Sequence, residues 1–273
     1  MIKLIASDID GTFFDDQHEY NHERFNQQLK LLHQQGVKFA IASGNYLGHL
    51  QRVVQYSPVD AFVSENGAHI VVDGEEAYAS YLSKDTVNLI IEDLQKLGDN
   101  LKAFILSGEK ATYTEAKYES ALDKYYIHNY KLVDDVKKVN DGIFKVNVSL
   151  NNDKLDEVEQ RLNDQFGGKV HATASGFGSI DIIAKEVNKS FGLQKLADHY
   201  GISLQDVVSF GDNSNDDEML QESGLSYAMK NAKQSTKDAA DKITKLDNNH
   251  EGVLNTIDSL FDWDTSEKYQ KSY

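Results

Sequence analysis

Short apolar runs alternate with longer stretches in which apolar residues recur every three or four positions. IKLIAS (2–7) is an apolar run with little alternation, the pattern of a strand buried on both faces. After it, Phe25, Leu29 and Leu32 fall at helical spacing, with Asn21 placed to cap the start and Gly36 to end the helix. VKFAIAS (37–43) repeats the buried-strand pattern, a helix carrying Leu47, Leu50, Val53 and Val54 follows, and AFVS (61–64) reads as a third strand. This rhythm predicts βαβ units and a parallel sheet. VVDGEEAY predicts a hairpin turning at Asp73-Gly74.

The pattern changes near Ser83. Val87, Ile90, Ile91, Leu94 and Leu97 make a helical stripe; FILS, TYTEA and a Tyr-rich helix follow. Phe144, Val146, Val148 and Leu150 alternate with Lys145, Asn147 and Ser149, as in an antiparallel strand with one wet face. A helix with Leu155, Val158, Leu162 and Phe166 precedes two strands, KVHATA and GSIDIIA. Residues 83–186 thus read as a second, α+β domain inserted into the first. From Asn188 the βα rhythm returns. A helix reaches Tyr200, DVVSFGD (206–212) is a buried strand, a helix starts near Asn215, and LSYAM (225–229) is a strand. Further helices run to Phe261, and the polar tail DWDTSEKYQKSY reads as frayed.

Composition narrows the function. The 273 residues are 40% hydrophobic and 26% charged, the balance of a soluble globular chain with a sizeable core. A net charge of −16 argues against nucleic acid or an anionic membrane as partner. No cysteine is present, so disulfides, thiolate catalysis and zinc–thiolate sites are excluded. Lys3 and the early aspartates leave no room for a signal-peptide apolar segment, and no window suits a membrane span, so the expected location is cytoplasmic.

Three of the buried strands end in chemistry. SDIDGT puts Asp8 and Asp10 two residues apart, on one side of the chain, before Gly11. VKFAIASG ends in Ser43-Gly44, a hydroxyl and bare backbone amides suited to a phosphate oxygen. SFGDNSND ends in Asp212, Asn215 and Asp216. Each string alone reads as a turn. Ligands in open parallel sheets bind at the carboxyl ends of strands, and three such ends favour one shared site. Asp8, Asp10 and Asp212 cannot all stay ionised together without a cation. Oxygen-only ligands point to Mg²⁺, and Mg²⁺ points to phosphoryl transfer. Lys189, opening the helix after the insertion, is the candidate cation for the phosphate.

DIDGT, ASG, a lysine on re-entry to the first domain, and GDNSND resemble, in order and spacing, the four motifs of the haloacid dehalogenase-like hydrolases. The α+β insertion, NGA (66–68) and NNHEG (248–252) resemble the Cof-type branch, and ASGN, SGFGSIDII and NNHEGVLN its bacterial sugar phosphatases. The resemblance implies an α/β fold, with a Rossmann-like parallel-sheet core of residues 1–82 and 187–273 and an α+β cap of residues 83–186. It implies a Mg²⁺-dependent phosphatase acting on small phosphomonoesters, sugar phosphates foremost, through an aspartyl-phosphate. Asp8 would be the nucleophile and Asp10 the general acid and base. Asp8, the Asp10 backbone carbonyl and Asp212 would hold the metal, with Asp216 supporting them from behind. Ser43, Gly44, the Ile9 amide, Lys189 and Asn215 would hold the phosphoryl group. Asn45 departs from the arginine that many relatives carry after ASG. Ser175, Gly176 and Phe177, at the tip of the last cap hairpin, are expected to meet the sugar. Two rivals remain. A phosphosugar mutase would need arginines in the cap, which has only Arg161; a non-catalytic phosphosugar-binding regulator would not need the full catalytic set. The oligomeric state is open.

Overall fold

A computed structural model describes residues 1–151, 154–174 and 178–266. Fourteen strands among them form two sheets. The larger contains β1 (Leu4–Ser7), β2 (Lys38–Ala42), β3 (Ala61–Ser64), β4 (His69–Val72), β5 (Glu75–Ala79), β12 (Val207–Gly211), β13 (Leu225–Ala228) and β14 (Lys242–Ile243). The smaller contains β6 (Leu101–Gly108), β7 (Thr112–Glu115), β8 (Tyr130–Val133), β9 (Ile143–Leu150), β10 (Val170–Ala174) and β11 (Ser179–Ala184). Eight α-helices accompany them: α1 (His22–Gln34), α2 (Leu47–Val53), α3 (Lys84–Gln95), α4 (Leu155–Phe166), α5 (Lys189–Tyr200), α6 (Asp217–Glu222), α7 (Gln234–Ala239) and α8 (Gly252–Phe261).

The larger sheet has the order β14-β13-β12-β1-β2-β3-β4-β5. It is parallel from β14 to β3, and β4 and β5 add antiparallel at one edge. Both faces of β1 are buried, as its unbroken apolar run requires. Ile5 lies in the cluster that holds Phe25 and Leu29 of α1 and Ile257 of α8. Leu4 and Ala6 lie in the cluster that holds Leu193 and Leu196 of α5. Burial of each such side chain stabilises the sheet by about 1.5–3 kcal/mol. Successive strands run outward from β1 on one side, whereas β12 lies on the other. The carboxyl end of β1 is therefore the topological switch point where such sheets bind ligands.

The smaller sheet has the order β10-β11-β9-β6-β7-β8 and is antiparallel except between β7 and β8. One face packs on α3 and α4 through Phe104, Leu106, Val146, Val148, Ile180 and Ile182. Among the described residues, the sole strand pairing that reaches beyond this sheet is an isolated bridge from Leu82 to Ile143. We propose on this basis that residues 83–186 form the cap and residues 1–82 with 187–273 the core.

The structure corrects three expectations. The Tyr-rich segment is not an α-helix. A 3-10 run spans Ala116–Ala121, and Asp123 then accepts a bond from the Tyr125 amide, turning the chain. The helix expected near Asn215 is present, as a 3-10 turn, Ser214–Asp216, that runs into α6. The described part of the tail, to Ser266, is packed and not frayed: Trp263 stacks on Phe261, and buried Thr265 is held by Asp258 and Arg24; residues 267–273 lie outside the described residues. The face of β9 expected to be wet is so only in part: Lys145 is 7% exposed, whereas Asn147 and Ser149 are half-buried, and all three border the cavity rather than open surface. The short strand β14 had no apolar run to mark it. Among the described residues, no helix is long and apolar enough to cross a membrane.

Candidate active site

The strand ends converge. β1 pairs with β2 on one side and β12 on the other, so Asp8, Ser43 and Asp212 end adjacent strands. Past Asp8 the amides of Thr12, Phe13 and Phe14 all bond the Ile9 carbonyl, winding the chain into a tight turn. Gly11 makes that turn at φ +79°, and a Cβ there would lie 2.6 Å from an Asp212 carboxylate oxygen. Thr12 instead donates its hydroxyl to Asp212 at 2.8 Å. The Ile9 side chain sits in the core, so only its backbone is available to the site.

A second turn braces the site from the other side. The Asn66 amide bonds the Ser43 carbonyl, and the Glu65 amide the Asn45 carbonyl, which ties residues 65–67 to the Ser43–Asn45 turn. Glu65 and Asn66 both hold positive φ (54°) although neither is glycine, a strain that persists only where the surroundings impose it. Gly67 then lets this turn abut the start of α5, where a Cβ would come within 2.1 Å of the Asn188 carbonyl. Asn188 caps α5, and the next residue, Lys189, enters the site.

Lys189 is 1% exposed and donates to Asp8 and to Asp216, both at 2.6 Å. Burial opposes its charge, but Asp216 and Asp8 beside it hold its pKa above the usual lysine range. Asp216 spends its other oxygen on the amides of Asp212 and Asn213, at 3.0 and 3.1 Å. Burial pushes the Asp8 carboxyl well above the ordinary range against the pull of Lys189, with Asp216 and Asp212 adding repulsion. Asp212 is pushed up to about 6, again by burial and then by Asp216. One lysine does not balance this much negative charge.

Oxygens of Asp8, Asp212 and Asp216 lie within 4.8 Å of one another. The donor set is hard, all oxygen, and over-charged, which fits a divalent cation such as Mg²⁺. Asp216 is committed to Lys189 and two amides, so Asp8 and Asp212 are the carboxylates placed to ligate. The Asp10 side chain is turned away from this cluster. It accepts from Asn45 Nδ2 at 2.8 Å and from the Tyr126 hydroxyl at 3.3 Å, with His18 Nδ1 at 3.4 Å.

The cap completes the enclosure. Lys145 donates to the Gly44 carbonyl and to Asp181 (3.2 Å) and lies 3.4 Å from Glu65, whose other oxygen takes Ser107 Oγ at 2.5 Å. Asp181 also accepts from Asn66 and Asn147, each at 2.7 Å. Asn66 in turn accepts from Asn215 at 3.3 Å. A cavity of about 600 Å³ lies between, bordered by Asp8, Asp10, Ser43, Gly44, Asp212 and Asn215 on the core side. The site thus gathers Asp8, Asp10, Ser43, Gly44, Lys189, Asp212, Asn215 and Asp216. Ser175, Gly176 and Phe177 lie outside the described residues. Sequence reasoning missed Thr12, Asn66, Lys145, Asp181 and Tyr126, and assigned Asn45 only a missing charge.

Residues 5–257 match the model of a family described as haloacid dehalogenase-like hydrolase, and the chain belongs to that family, in its Cof-type branch. It is 37% identical over 263 residues to 5-amino-6-(5-phospho-D-ribitylamino)uracil phosphatase YbjI of Escherichia coli, covering 95% of this chain and 96% of that one. It is 29% identical over 236 residues to an HMP-PP phosphatase of Cronobacter sakazakii, covering 85% of each. Among solved structures, SMU.1108c from Streptococcus mutans matches with a TM-score of 0.89 at 29% identity, over 96% of this chain and all of that one. The curated relatives are named as phosphatases of small phosphorylated molecules, and the class defined by fold and site is a phosphatase of this superfamily.

Proposed function

We propose that the protein is a Mg²⁺-dependent phosphatase of small phosphomonoesters, sugar phosphates foremost, working through an aspartyl-phosphate. The observation that carries this reading is Lys189 seated between Asp8 and Asp216 at the sheet's switch point, with Asp10 beside them but outside the carboxylate cluster.

The substrate phosphate sits against Ser43, the Gly44 and Ile9 amides, Lys189 and Asn215. Asp8 and Asp212, with the Asp10 backbone carbonyl, would hold the metal; when bound, Mg²⁺ neutralises charge between carboxylate and phosphate. An Asp8 oxygen attacks phosphorus, and the bond to the leaving oxygen breaks as Asp10 gives that oxygen a proton. Asp10, now ionised, takes a proton from water as the water oxygen attacks phosphorus. The bond from phosphorus to Asp8 breaks, and inorganic phosphate leaves. Asn45 and Tyr126 hold Asp10 at the mouth of the cavity during both steps. The cap excludes bulk water meanwhile.

The Escherichia coli relative's name extends the reading to phosphorylated ribityl compounds, and about 600 Å³ accommodates a leaving group larger than a hexose. Nucleic acid is not a partner in this reading, given the net charge of −16, and the reading takes the enzyme to be cytoplasmic, as a metabolite-sized substrate suggests. A phosphomonoester panel with Mg²⁺, scored by kcat/KM, tests it. Hydrolysis abolished by EDTA and restored by Mg²⁺ is expected. Absence of hydrolysis across the panel, or phosphate transfer to give an isomer, would refute it.

A further inference from the structure

The cap wall facing the phosphate site has a definite polarity. Strand register sets Asn147 opposite Asp181, and Ser149 opposite Ser179 one step further along. All four border the cavity together with Lys145. An ammonium has three N–H groups. Lys145 donates to the Gly44 carbonyl and to Asp181, and Glu65 lies 3.4 Å from it as an ion pair, so its charge is already engaged by two acids and a carbonyl. Two carboxylates surround this one charge, and all three groups are buried.

The carboxylates also orient the amides. The NH₂ of Asn147 donates to Asp181 (2.7 Å) and that of Asn45 to Asp10 (2.8 Å). Each of these bonds uses one N–H and leaves the amide oxygen, with a single N–H beside it, for other partners. The other lysine bordering the cavity, Lys102, is exposed, where water and salt screen it. The leaving group therefore meets acceptors and excess negative charge.

We propose that this wall selects phosphomonoesters whose leaving group is rich in hydrogen-bond donors and neutral or cationic, such as polyols and amino sugars. It rejects leaving groups that carry a second phosphate or a carboxylate. The inference rests on the phosphatase reading of the same site.

Matched substrates test it: glucose 6-phosphate, glucosamine 6-phosphate, 6-phosphogluconate and fructose 1,6-bisphosphate, with p-nitrophenyl phosphate reporting the chemistry alone. The neutral and amino sugars should exceed both anionic substrates by about 30-fold or more in kcat/KM, since like-charge juxtaposition is costly. Anionic substrates within about threefold of glucose 6-phosphate would overturn the inference. Ser149→Lys adds a cation to the same wall and should raise 6-phosphogluconate relative to glucose 6-phosphate about tenfold. Asp181→Asn should move the ratio in the same direction. An unchanged ratio in folded Ser149→Lys protein would also overturn it. Failure to hydrolyse any substrate, p-nitrophenyl phosphate included, would instead remove the phosphatase reading itself.

Discussion

Two buried lysines sit 44 positions apart in the chain, and each lies between two carboxylates. Lys189 is held by Asp8 and Asp216, all three from the core. Lys145 is held by Asp181 from the cap and Glu65 from the core. In both, burial opposes the lysine charge and the flanking acids hold the pKa up. The surroundings differ. Next to Lys189 stands Asp212, a further acid with a raised pKa, and the excess negative charge there suits a metal and a phosphate. Next to Lys145 stand the Gly44 carbonyl, which accepts from it, and the Asn66 and Asn147 amides, which donate to Asp181. The same ionic triad thus stands beside surplus negative charge in one place and joins two sheets in the other.

The largest expected effects test the Lys189 side. Asp8→Asn should lower kcat by at least about 10³-fold while the protein stays folded, because no other group supplies the attacking oxygen. Turnover near wild type in carefully purified variant protein would remove Asp8 as nucleophile. Asp10→Asn comes next. It should slow first-step release of a sugar alkoxide by about 10²–10⁴-fold and release of p-nitrophenolate far less, since the phenolate leaves without protonation. Equal first-step losses on both substrates would contradict the proton-shuttle role.

These residues were legible because each stands at the end of an apolar run. In Asp8, Asp10, Ser43 and Asp212, a few adjacent letters carry both the strand and the polar group that ends it. The order of the parallel strands then follows from the βα rhythm. Lys145 was illegible for a physical reason. Alternation in β9 shows that one face is apolar, but an alternating sequence does not distinguish a face turned to water from one turned to a polar cleft. Asn66 and Glu65 have a similar problem, since their role depends on a tertiary clamp between two turns. The Tyr-rich segment was misread because its aromatic residues pack as single rings. Tyr125 and Tyr126 meet His18 and His49, and no helical stripe exists.

Lys145→Met sharpens the contrast. It leaves Glu65 and Asp181 buried without their cation, which typically costs about 3–5 kcal/mol of stability. The chemistry should suffer less: kcat on p-nitrophenyl phosphate should stay within about tenfold of wild type, whereas Lys189→Met should abolish it. Adding Glu65→Gln to Lys145→Met should recover part of the lost stability, because one of the two stranded charges is gone. Thermal melts and initial rates on the same samples check both halves. Equal kinetic losses from the two lysine variants would erase the distinction drawn here.

The smallest effect probes the opposite flank of the core–cap junction, where contacts are aromatic. His49 on α2 is 1% exposed, and its ring lies 5.2 and 5.3 Å from those of Tyr125 and Tyr126 in the cap. Burial, and then the nearby Arg52 charge, lower its pKa from 6.5 to about 4. The folded protein therefore resists a proton that the unfolded chain accepts between those two values. The associated stability is complete above pH 6.5 and declines as pH falls toward 4, by about 3 kcal/mol in all and about 2 kcal/mol by pH 5. His49→Phe keeps the ring contacts and removes the titration. The drop in stability between pH 7 and pH 5, read from chemical denaturation, should be smaller in this variant than in wild type by about 2 kcal/mol. Stability of the core–cap contact would then depend on pH through this aromatic flank, while Lys145 on the other flank, its pKa raised against burial by Asp181 and Glu65, keeps its own charge across the same window. An identical pH dependence in the two proteins would place the acid sensitivity elsewhere and leave His49 a packing residue only.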